Sequence, residues 1–417
     1  MAQSDNILNR LCSLEGTNFE VTDVKVLEDR ITWQIEHKKD AFYVCSRCGE
    51  KVVGCHSKDW IKLKDIPVGN KKSIWLIKRA RILCPCSMTV RKERLDFRSS
   101  HHFLSQRFVD YIEQVLCTKM FTVADVARLF EVDYSIVYKI DHDVLLRLFQ
   151  TLPIPDPIHI AVDEKSFKKG HSYVTLVTDC DLKKVVWASP GNNKESLDLF
   201  FRVLGPERCA KIKTVAKDLW SPYASSCKEF IPQALEVPDK FHVVQALNRA
   251  LDDCRIELTV KSKLNISKRS TIHGLNWILR HKQNNLSKQQ LQSIEKLAQI
   301  NEPLYKAYLL KESFFQFFEY KSWQIEQASS FLVQWIVEAY KVGLQGVKEF
   351  ADYINRHGDI LLNIIKTGRT SAISEGINRK ISVIKSMAYG YKNLQYFMLK
   401  ILQRCGILGV LYRPQTQ

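Results

Sequence analysis

The chain has 417 residues, of which 45% are hydrophobic, and its 62 Lys and Arg residues outnumber its 45 Asp and Glu residues to give a formal net charge of +17. This length and apolar content exclude a mostly disordered protein and allow two or three domains with separate cores. The sequence contains no apolar run of 18 residues or more, and its first residues lack a basic start and a long apolar centre. We therefore expect no membrane span, no signal peptide and a cytoplasmic, nucleoid-associated location.

The positive charge is concentrated near the amino terminus, where positions 45–98 hold 14 Lys and Arg residues against 5 Asp and Glu residues. A clustered positive surface attracts polyanions, which makes nucleic acid the expected partner. A merely solvated surface is the alternative, because exposed lysines are common in proteins that bind no polyanion. The candidate phosphate contacts lie in one basic stretch, at Lys78, Arg79 and Arg81.

Residues 1–100 are predicted to form a small β-rich module, with strands at 31–35 and 73–77. Four of the twelve cysteines of the chain form two close pairs, Cys45 with Cys48 and Cys84 with Cys86. Two thiolate pairs brought together by a β-hairpin favour a tetrahedral, structural Zn²⁺ site, which would stabilise a module with a small core. Only one residue separates the second pair, so Cys55 or His56 could replace a ligand, and four free thiols are the plain alternative.

Residues 101–151 change to helical spacing and contain a predicted helix-turn-helix. Thr122 is placed to cap a first helix, residues 132–133 form a short turn, and a second helix begins near Ser135. Tyr134, Ser135, Tyr138 and Lys139 would then face the major groove of DNA or its phosphates. Any compact helical hairpin can produce the same pattern.

A proline-rich stretch at 152–157 predicts a boundary, after which strands and helices alternate as in an α/β domain. Strands are expected at 158–163, 212–218 and 234–238, with a hairpin between 173 and 188 that turns at residues 179–181. Asp163 closes the first apolar run and Asp218 closes a later one. Asp163 is expected to point away from the apolar layer, because it alternates with the inward-facing Ile160 and Val162.

A third acid, Glu375, lies in the first turn of a helix predicted to begin near Ser374, where the helix dipole favours its ionised form. The apolar stripe of this helix leaves Glu375 on the opposite side, together with Asn378, Arg379 and Ser382, which could line a DNA strand. Asp163, Asp218 and Glu375 together are typical of a two-metal site for phosphoryl transfer. Each acid alone could equally be a turn, cap or dipole residue, and the pattern does not choose between Asp218 and Asp239.

From about 242 to 366 nearly every segment has helical period and no strand is predicted. We interpret residues 245–368 as an all-α insertion between a first part of the catalytic core at 152–244 and a last part at 369–417.

These features resemble the ISL-three group of bacterial insertion-sequence transposases over nearly the whole chain. The shared blocks are the cysteine module that ends in Lys-Arg-Ala-Arg-Ile-Leu-Cys-Pro-Cys (78–86), Ala161–Glu164, Ala216–Asp218 followed by Pro222-Tyr223, Asp239–His242, Ser374–Ile381 and Ala388–Tyr391. The chain departs from the family in its shorter second cysteine pair and in the Ile373-Ser374 that precedes Glu375.

The resemblance implies an RNase H-like catalytic core, a mixed five-stranded sheet with helices, interrupted by the helical insertion. It also implies that Asp163, Asp218 and Glu375 hold two Mg²⁺ or Mn²⁺ ions, and that Asp239 and His242 are auxiliary. The expected function is DNA cleavage and strand transfer at the terminal inverted repeats of a mobile element, by a homodimer or larger oligomer bound to double-stranded DNA. A catalytically inactive DNA-binding regulator and a structure-specific nuclease on the same fold are the alternatives.

Overall fold

The prolines at 153, 155 and 157 stand where the chain divides into two structural units, one that extends to Leu152 and one from Pro153 to Ile407. The computed structural model describes residues 2–84, 86–101, 103–168, 172–218, 222–261, 270, 272–368 and 372–409. No helix in these ranges is long and apolar enough to cross a membrane.

The first unit starts with a helix that the sequence did not predict, α1 (Ala2–Leu11), and continues with seven strands. These are β1 (Phe19–Val26), β2 (Arg30–His37), β3 (Tyr43–Val44), β4 (Lys51–Val52), β5 (Ser57–Val68), β6 (Lys71–Cys84) and β7 (Thr89–Lys92). Five form a sheet in the order β1-β2-β6-β5, with β7 also on β6, whereas β3 and β4 form a separate ribbon. Strands β2 and β6 run parallel. Alternate residues such as Leu63, Trp75 and Ile77 are buried in the core on one side of this sheet.

Three helices follow in the first unit: α2 (Gln106–Cys117), α3 (Val123–Phe130) and α4 (Tyr134–Thr151). Thr122 caps α3 as predicted, and it forms a capping box with Asp125. Glu131 ends α3 in the left-handed conformation, and Asp133 caps α4 by accepting from the backbone of Ser135. The short segment between α3 and α4 is therefore the predicted turn.

The second unit contains a mixed sheet of β8 (His159–Lys168), β9 (Ser172–Asp179), β10 (Lys184–Pro190), β11 (Thr214–Lys217) and β12 (Leu235–Pro238). The strand order is β10-β9-β8-β11-β12, in which β8, β9 and β10 are antiparallel neighbours and β11 runs parallel to β8 and β12. Helices α5 (Lys194–Leu204), α6 (Pro206–Cys209) and α7 (Ala224–Phe230) accompany it. Phe200 and Phe201 of α5 are buried against Ile160, Val162 and Val177 of the sheet.

The first strand of this sheet is longer than the sequence predicted, because it continues five residues beyond Asp163 to Lys168. The reason is that β8 keeps an antiparallel partner, β9, up to Lys168, whereas its parallel partner β11 has already ended at Lys217. The predicted hairpin turn is confirmed. Asp179 accepts hydrogen bonds there from the backbone nitrogens of Asp181 and Leu182.

The chain then becomes helical, as predicted, and the described residues between 242 and 366 include no strand. The helices are α8 (Lys240–Lys261), α9 (Asn276–Arg280), α10 (Lys288–Ile300), α11 (Glu302–Phe314), α12 (Ile325–Val342) and α13 (Gln345–Thr367). Helix α13 crosses α8 closely at Gly346. A Cβ atom at this position would lie only 2.1 Å from the backbone oxygen of Ala250. At its other end the Asn363 side chain donates a 2.8 Å hydrogen bond to the backbone oxygen of Glu236 in β12.

The last helices are α14 (Ala372–Met387) and α15 (Leu394–Cys405). The predicted apolar stripe of α14 is confirmed, since Ile377, Ile381 and Ile384 are all buried. Helix α15 packs on β10, and Gly406 forms a parallel bridge with Val185 of that strand.

Candidate active site and metal centre

Three aspartates are gathered where neighbouring parallel strands of the mixed sheet come to the same level: Asp163, Asp218 and Asp239. The strand register explains this. Ala216 of β11 lies beside Ala161 of β8 and Val237 of β12. On each strand the aspartate follows two residues later. Neighbouring strands are about 4.8 Å apart, so the sheet alone brings the three carboxylates into one area.

His242, in the first turn of α8, contacts two of these acids. Its Nδ1 is 3.0 Å from Oδ2 of Asp218, and its Nε2 is 3.9 Å from Oδ2 of Asp239. The hydrogen bond with Asp218 raises the pKa of His242 above its ordinary value, although burial acts in the opposite direction. The imidazole therefore connects the ends of β11 and β12.

Asp163 is partly buried. Burial raises the pKa of Asp163, and the neighbouring charge of Asp239 adds to this effect. Two hydrogen bonds oppose the shift: the backbone nitrogen of Glu164 donates to Oδ1 at 2.8 Å, and Nδ2 of Asn378 donates to Oδ2 at 2.6 Å. Such a carboxylate gains from a nearby cation, which would offset the cost of burying its charge.

The exposed Glu164 adds a carboxylate for which the sequence had suggested no role. Burial raises the pKa of Glu164, a hydrogen bond with Asn192 lowers it, and the charges of Asp163 and Asp218 raise it again. The sequence does not predict that Glu164 lies near Asp163 and Asp218. Alternation along β8 sends the side chains of the neighbours Asp163 and Glu164 to opposite faces of the strand.

Glu375 lies next to this cluster and not within it. Its side chain is 55% exposed, and Oε1 pairs at 2.6 Å with Nη2 of Arg379 one turn later. Asn378 attaches the same helix to Asp163, and Nζ of Lys385 donates at 3.2 Å to the backbone oxygen of Ser166. Helix α14 therefore lies alongside β8, with Glu375 one turn before the residue that contacts Asp163.

Three of the four predicted zinc ligands converge in the first unit, where the β3–β4 ribbon meets the end of β6, and the fourth, Cys86, contacts Cys84. The sulfur atoms of Cys45, Cys48 and Cys84 all lie within 4.8 Å of one another, and the Sγ atoms of Cys84 and Cys86 are 2.8 Å apart. Four sulfurs around one zinc ion would stand about 3.8 Å apart, given a Zn–S distance of about 2.3 Å. A small outward movement of the thiols would therefore make room for the ion.

The chemistry of these thiols fits a metal site. Hydrogen bonds from the other cysteines, that from Cys86 first, lower the pKa of Cys84 to about 6, so a thiolate forms near neutral pH. The two alternative ligands lie apart from this group of sulfurs among the described residues: Cys55 is exposed, and His56 contacts Ser57.

The predicted DNA-reading residues occupy the start of α4. Tyr134, Ser135 and Lys139 are exposed, whereas Val137 and Ile140 are buried against α2 and α3. The ring of Tyr138 is half-buried and stacks on both Tyr134 and His142, with centroids 6.3 and 6.2 Å away. The predicted orientation of this helix is confirmed, and its contact with DNA stays a prediction.

The three predicted basic contacts on β6 all have intramolecular partners. Lys78 pairs with Glu36 at 2.8 Å, Arg81 pairs with Asp59 at 2.7 Å, and Arg79 donates to the backbone oxygen of Glu93 at 2.7 Å. A phosphate would have to replace or share these partners, so the structure makes these residues less available than their sequence suggested.

Comparisons with known proteins identify the family. A family model for ISL3 transposases of the DDE type, described as "Transposase", matches residues 160–401. The chain is 30% identical over 364 residues to the transposase for insertion sequence element IS1001 from Bordetella parapertussis, which covers 86% of this chain and 87% of that protein. It is 26% identical over 409 residues to the transposase for insertion sequence element IS1557 from Mycobacterium tuberculosis, with 90% of each chain covered. This chain therefore belongs to the ISL3 family of DDE-type insertion-sequence transposases.

Proposed function

We propose that this transposase binds the terminal inverted repeats of its element and uses one carboxylate centre to cut and to join DNA strands. The observation that carries the proposal is the placement of Asp163 and Asp218 at one level of the sheet, with the helix that bears Glu375 attached to Asp163 through Asn378. These three acids are the proposed catalytic residues, and Asp239, His242, Asn378 and Arg379 are proposed to support them.

We assign the second unit to the RNase H-like fold. Counted along the chain, its five strands lie side by side in the order third, second, first, fourth, fifth. The first three strands are antiparallel neighbours, and the fourth and fifth run parallel to the first. We further propose domain limits of 152–244 and 369–417 for this core and 245–368 for a helical insertion, after a zinc module at 1–100 and a helix-turn-helix at 101–151.

Asp163, Asp218 and Glu375 offer the hard oxygen ligands that Mg²⁺ or Mn²⁺ prefers. Two divalent ions held there would activate a water or a 3′-hydroxyl group and stabilise the leaving oxygen of an in-line displacement at phosphorus. The protein fixes the geometry of this site. Asn378 orients the Asp163 carboxylate, His242 holds Asp218, and Arg379 pairs with Glu375, which has to turn towards Asp163 to share an ion with it.

Substitution of single acids tests the catalytic proposal. Asp163→Asn and Glu375→Gln should each lower Mg²⁺-dependent cleavage of a duplex with the element end by at least roughly 100-fold, because one coordinating charge is lost. Binding of the same duplex should stay within about twofold, because recognition is assigned to the first unit. Asp181→Asn is the matched control, since it changes an aspartate of the same unit in a hairpin turn. Cleavage by either active-site variant at the rate of this control would contradict the assignment.

The same assay decides between Asp218 and Asp239, which the register places side by side. If Asp218 binds the metal and Asp239 is auxiliary, Asp218→Asn abolishes cleavage, whereas Asp239→Asn leaves a measurable rate. The reverse result would exchange their roles.

We propose that the first unit recognises the inverted repeats, with base contacts from Tyr134 to Lys139 and phosphate contacts from the basic residues of 45–98. Lys139→Ala should weaken binding to all DNA sequences alike and lower the slope of log affinity against log salt by roughly 0.9. Tyr138→Ala should instead reduce the preference for element ends over random duplex. An unchanged salt slope and an unchanged preference would together exclude α4 from the interface.

We propose a structural zinc ion at Cys45, Cys48, Cys84 and Cys86. The purified protein should contain one zinc per chain by elemental mass spectrometry, and Cys84→Ser should lose it. Cys55→Ser is the matched control and should retain the metal, because Cys55 lies outside the sulfur cluster. Equal zinc contents in the two variants would contradict this ligand set. Because two element ends must be joined, we also expect the active form to be a homodimer or a larger oligomer on DNA.

A further inference from the structure

One surface of the first unit combines lysines with exposed aromatic rings, and the proposals above give these rings no role. Outward-facing residues alternate along the edge strand β5: Lys58, Trp60, Lys62 and Lys64. Trp60 lies opposite Lys78 of the neighbouring strand β6, whose ammonium group is 5.5 Å from the centre of the indole ring. Leu63, which points to the other face of β5, is buried in the core. We call this outer surface, together with Lys72 and Phe103, the basic aromatic face.

The basic aromatic face contains a groove of about 590 Å³ with rings on its walls. Trp60 is 50% exposed and Phe103 is 63% exposed, and both line the groove together with Lys62, Lys64 and Lys72. Exposed rings of this size beside ammonium groups are typical of a surface that stacks on bases and attracts phosphates.

The lysines of the groove differ in their partners. Lys64 donates to the backbone oxygens of Phe130 and Glu131 at 2.8 and 2.7 Å, and Lys72 pairs with the Glu131 side chain at 2.5 Å. These two contacts attach the groove to the end of α3, directly before the turn that leads into α4. Lys62 has no carboxylate partner among the described residues. Its ammonium group is therefore available to an anion.

The lysines are also close enough to repel one another. Burial lowers the pKa of Lys64 most, and the positive charges of Lys72 and Lys62 lower it further, although Glu131 opposes them. An anionic ligand in the groove would relieve this repulsion. A second copy of the same surface would increase it, which argues against self-association through this face.

We propose that the basic aromatic face binds single-stranded DNA, with unpaired bases stacked on Trp60 and Phe103 and the adjoining phosphate held by Lys62. This inference rests on the proposed DNA-binding function of the first unit and adds the form of DNA that it takes. Bases in a duplex are already stacked on one another, so a ring on a flat sheet gains little from them, whereas every unpaired base offers a free face. The face would hold a strand opened at the element end, next to the duplex read by α4.

The test uses the full chain and a fluorescein-labelled single strand of mixed sequence, with anisotropy measured in Mg²⁺-free buffer so that no strand is cut. Trp60→Ala should weaken binding roughly 5- to 100-fold, whereas Trp60→Phe should retain most of the affinity. Lys62→Ala should lower the salt slope for single strands by roughly 0.7. Trp323→Ala is the matched control, because it removes an exposed tryptophan of the second unit and should change nothing.

A duplex of random sequence, used as competitor, separates the two forms of DNA. The proposal expects Trp60→Ala to leave duplex affinity within about twofold while single-strand affinity falls. Equal losses for both forms would show a phosphate contact without base stacking and would overturn the proposal, as would unchanged single-strand binding in both Trp60→Ala and Lys62→Ala. Because no cleavage is measured, failure of the catalytic assignment would leave this result unaffected.

Discussion

A buried carboxylate joins the sheet of the first unit to its helices, and its removal should be costly. Asp65 of β5 is completely buried. It accepts hydrogen bonds from the Ser105 hydroxyl at 2.6 Å and from Nε of Arg107 at 2.8 Å, and a second guanidinium nitrogen of Arg107 donates to its other oxygen. Arg107 lies in α2, and its guanidinium also covers the ring of Trp75 at 5.0 Å.

The magnitude follows from what Asp65→Ala leaves behind. The two hydrogen bonds from Arg107, worth about 1.5–3 kcal/mol each, give roughly 3–6 kcal/mol before the bond from Ser105 is counted. The Arg107 side chain is 26% exposed and also donates to the backbone oxygen of Leu11, so water and this partner recover part of the loss. We therefore expect about 3 kcal/mol, at the lower end of the range for a broken buried ion pair.

Hydrogen exchange followed by mass spectrometry measures this locally, which avoids a global fit to a chain with two units. Protection of peptides from β6 and α2 should fall roughly 100-fold in Asp65→Ala. Asp59→Ala is the matched control on the same strand, because Asp59 pairs with Arg81 in an exposed ion pair that contributes at most about 1 kcal/mol. If the two variants differ by less than about 1 kcal/mol, the reasoning from burial is wrong.

Three further predictions concern the second unit. Gly346→Ala should lower the free energy of unfolding by roughly 1–3 kcal/mol, because the new methyl group meets the backbone of α8. Gly358→Ala in the same helix has open space and should raise the free energy of unfolding by about 0.5–1 kcal/mol. Chemical denaturation measures both changes. Tyr389→Gly should raise the midpoint of thermal unfolding by a few degrees. Tyr389 is fully exposed and has a φ of 50°, a conformation that costs an L-residue roughly 1–2 kcal/mol. An unchanged midpoint would show that the backbone adjusts. Asn378→Asp should place a second negative charge against Asp163 and raise the pKa of Asp163. In a plot of cleavage rate against pH, the loss of activity at low pH should therefore begin about one pH unit higher. An unchanged plot would contradict the contact between residues 378 and 163.

Local chemistry made several features predictable from the sequence. The Thr122 cap, the Asp179 turn and the isoleucine stripe of α14 each depend on residues a few positions apart, and the structure confirms all three. Alternation along a strand also placed Ile160 and Val162 in the core.

Features that depend on distant partners were not predictable in the same way. The length of β8 is set by its pairing with β9, which no periodicity within β8 reveals. The contact between Asn378 and Asp163 joins residues 215 positions apart. The sequence placed Asn378 on the side of α14 that bears Glu375, but it could not show that Asn378, and not Glu375, touches Asp163 in this structure.

Both outer strands of the mixed sheet are closed to a further strand. On one side α13 packs on β12, and the Asn363 amide donates a hydrogen bond to the backbone oxygen of Glu236. On the other side Gly406, directly after α15, bridges to Val185 of β10. Open sheet edges are templates for aggregation between protein molecules. The outer edges of the mixed sheet are therefore poorly placed to pair with the same sheet of a second copy.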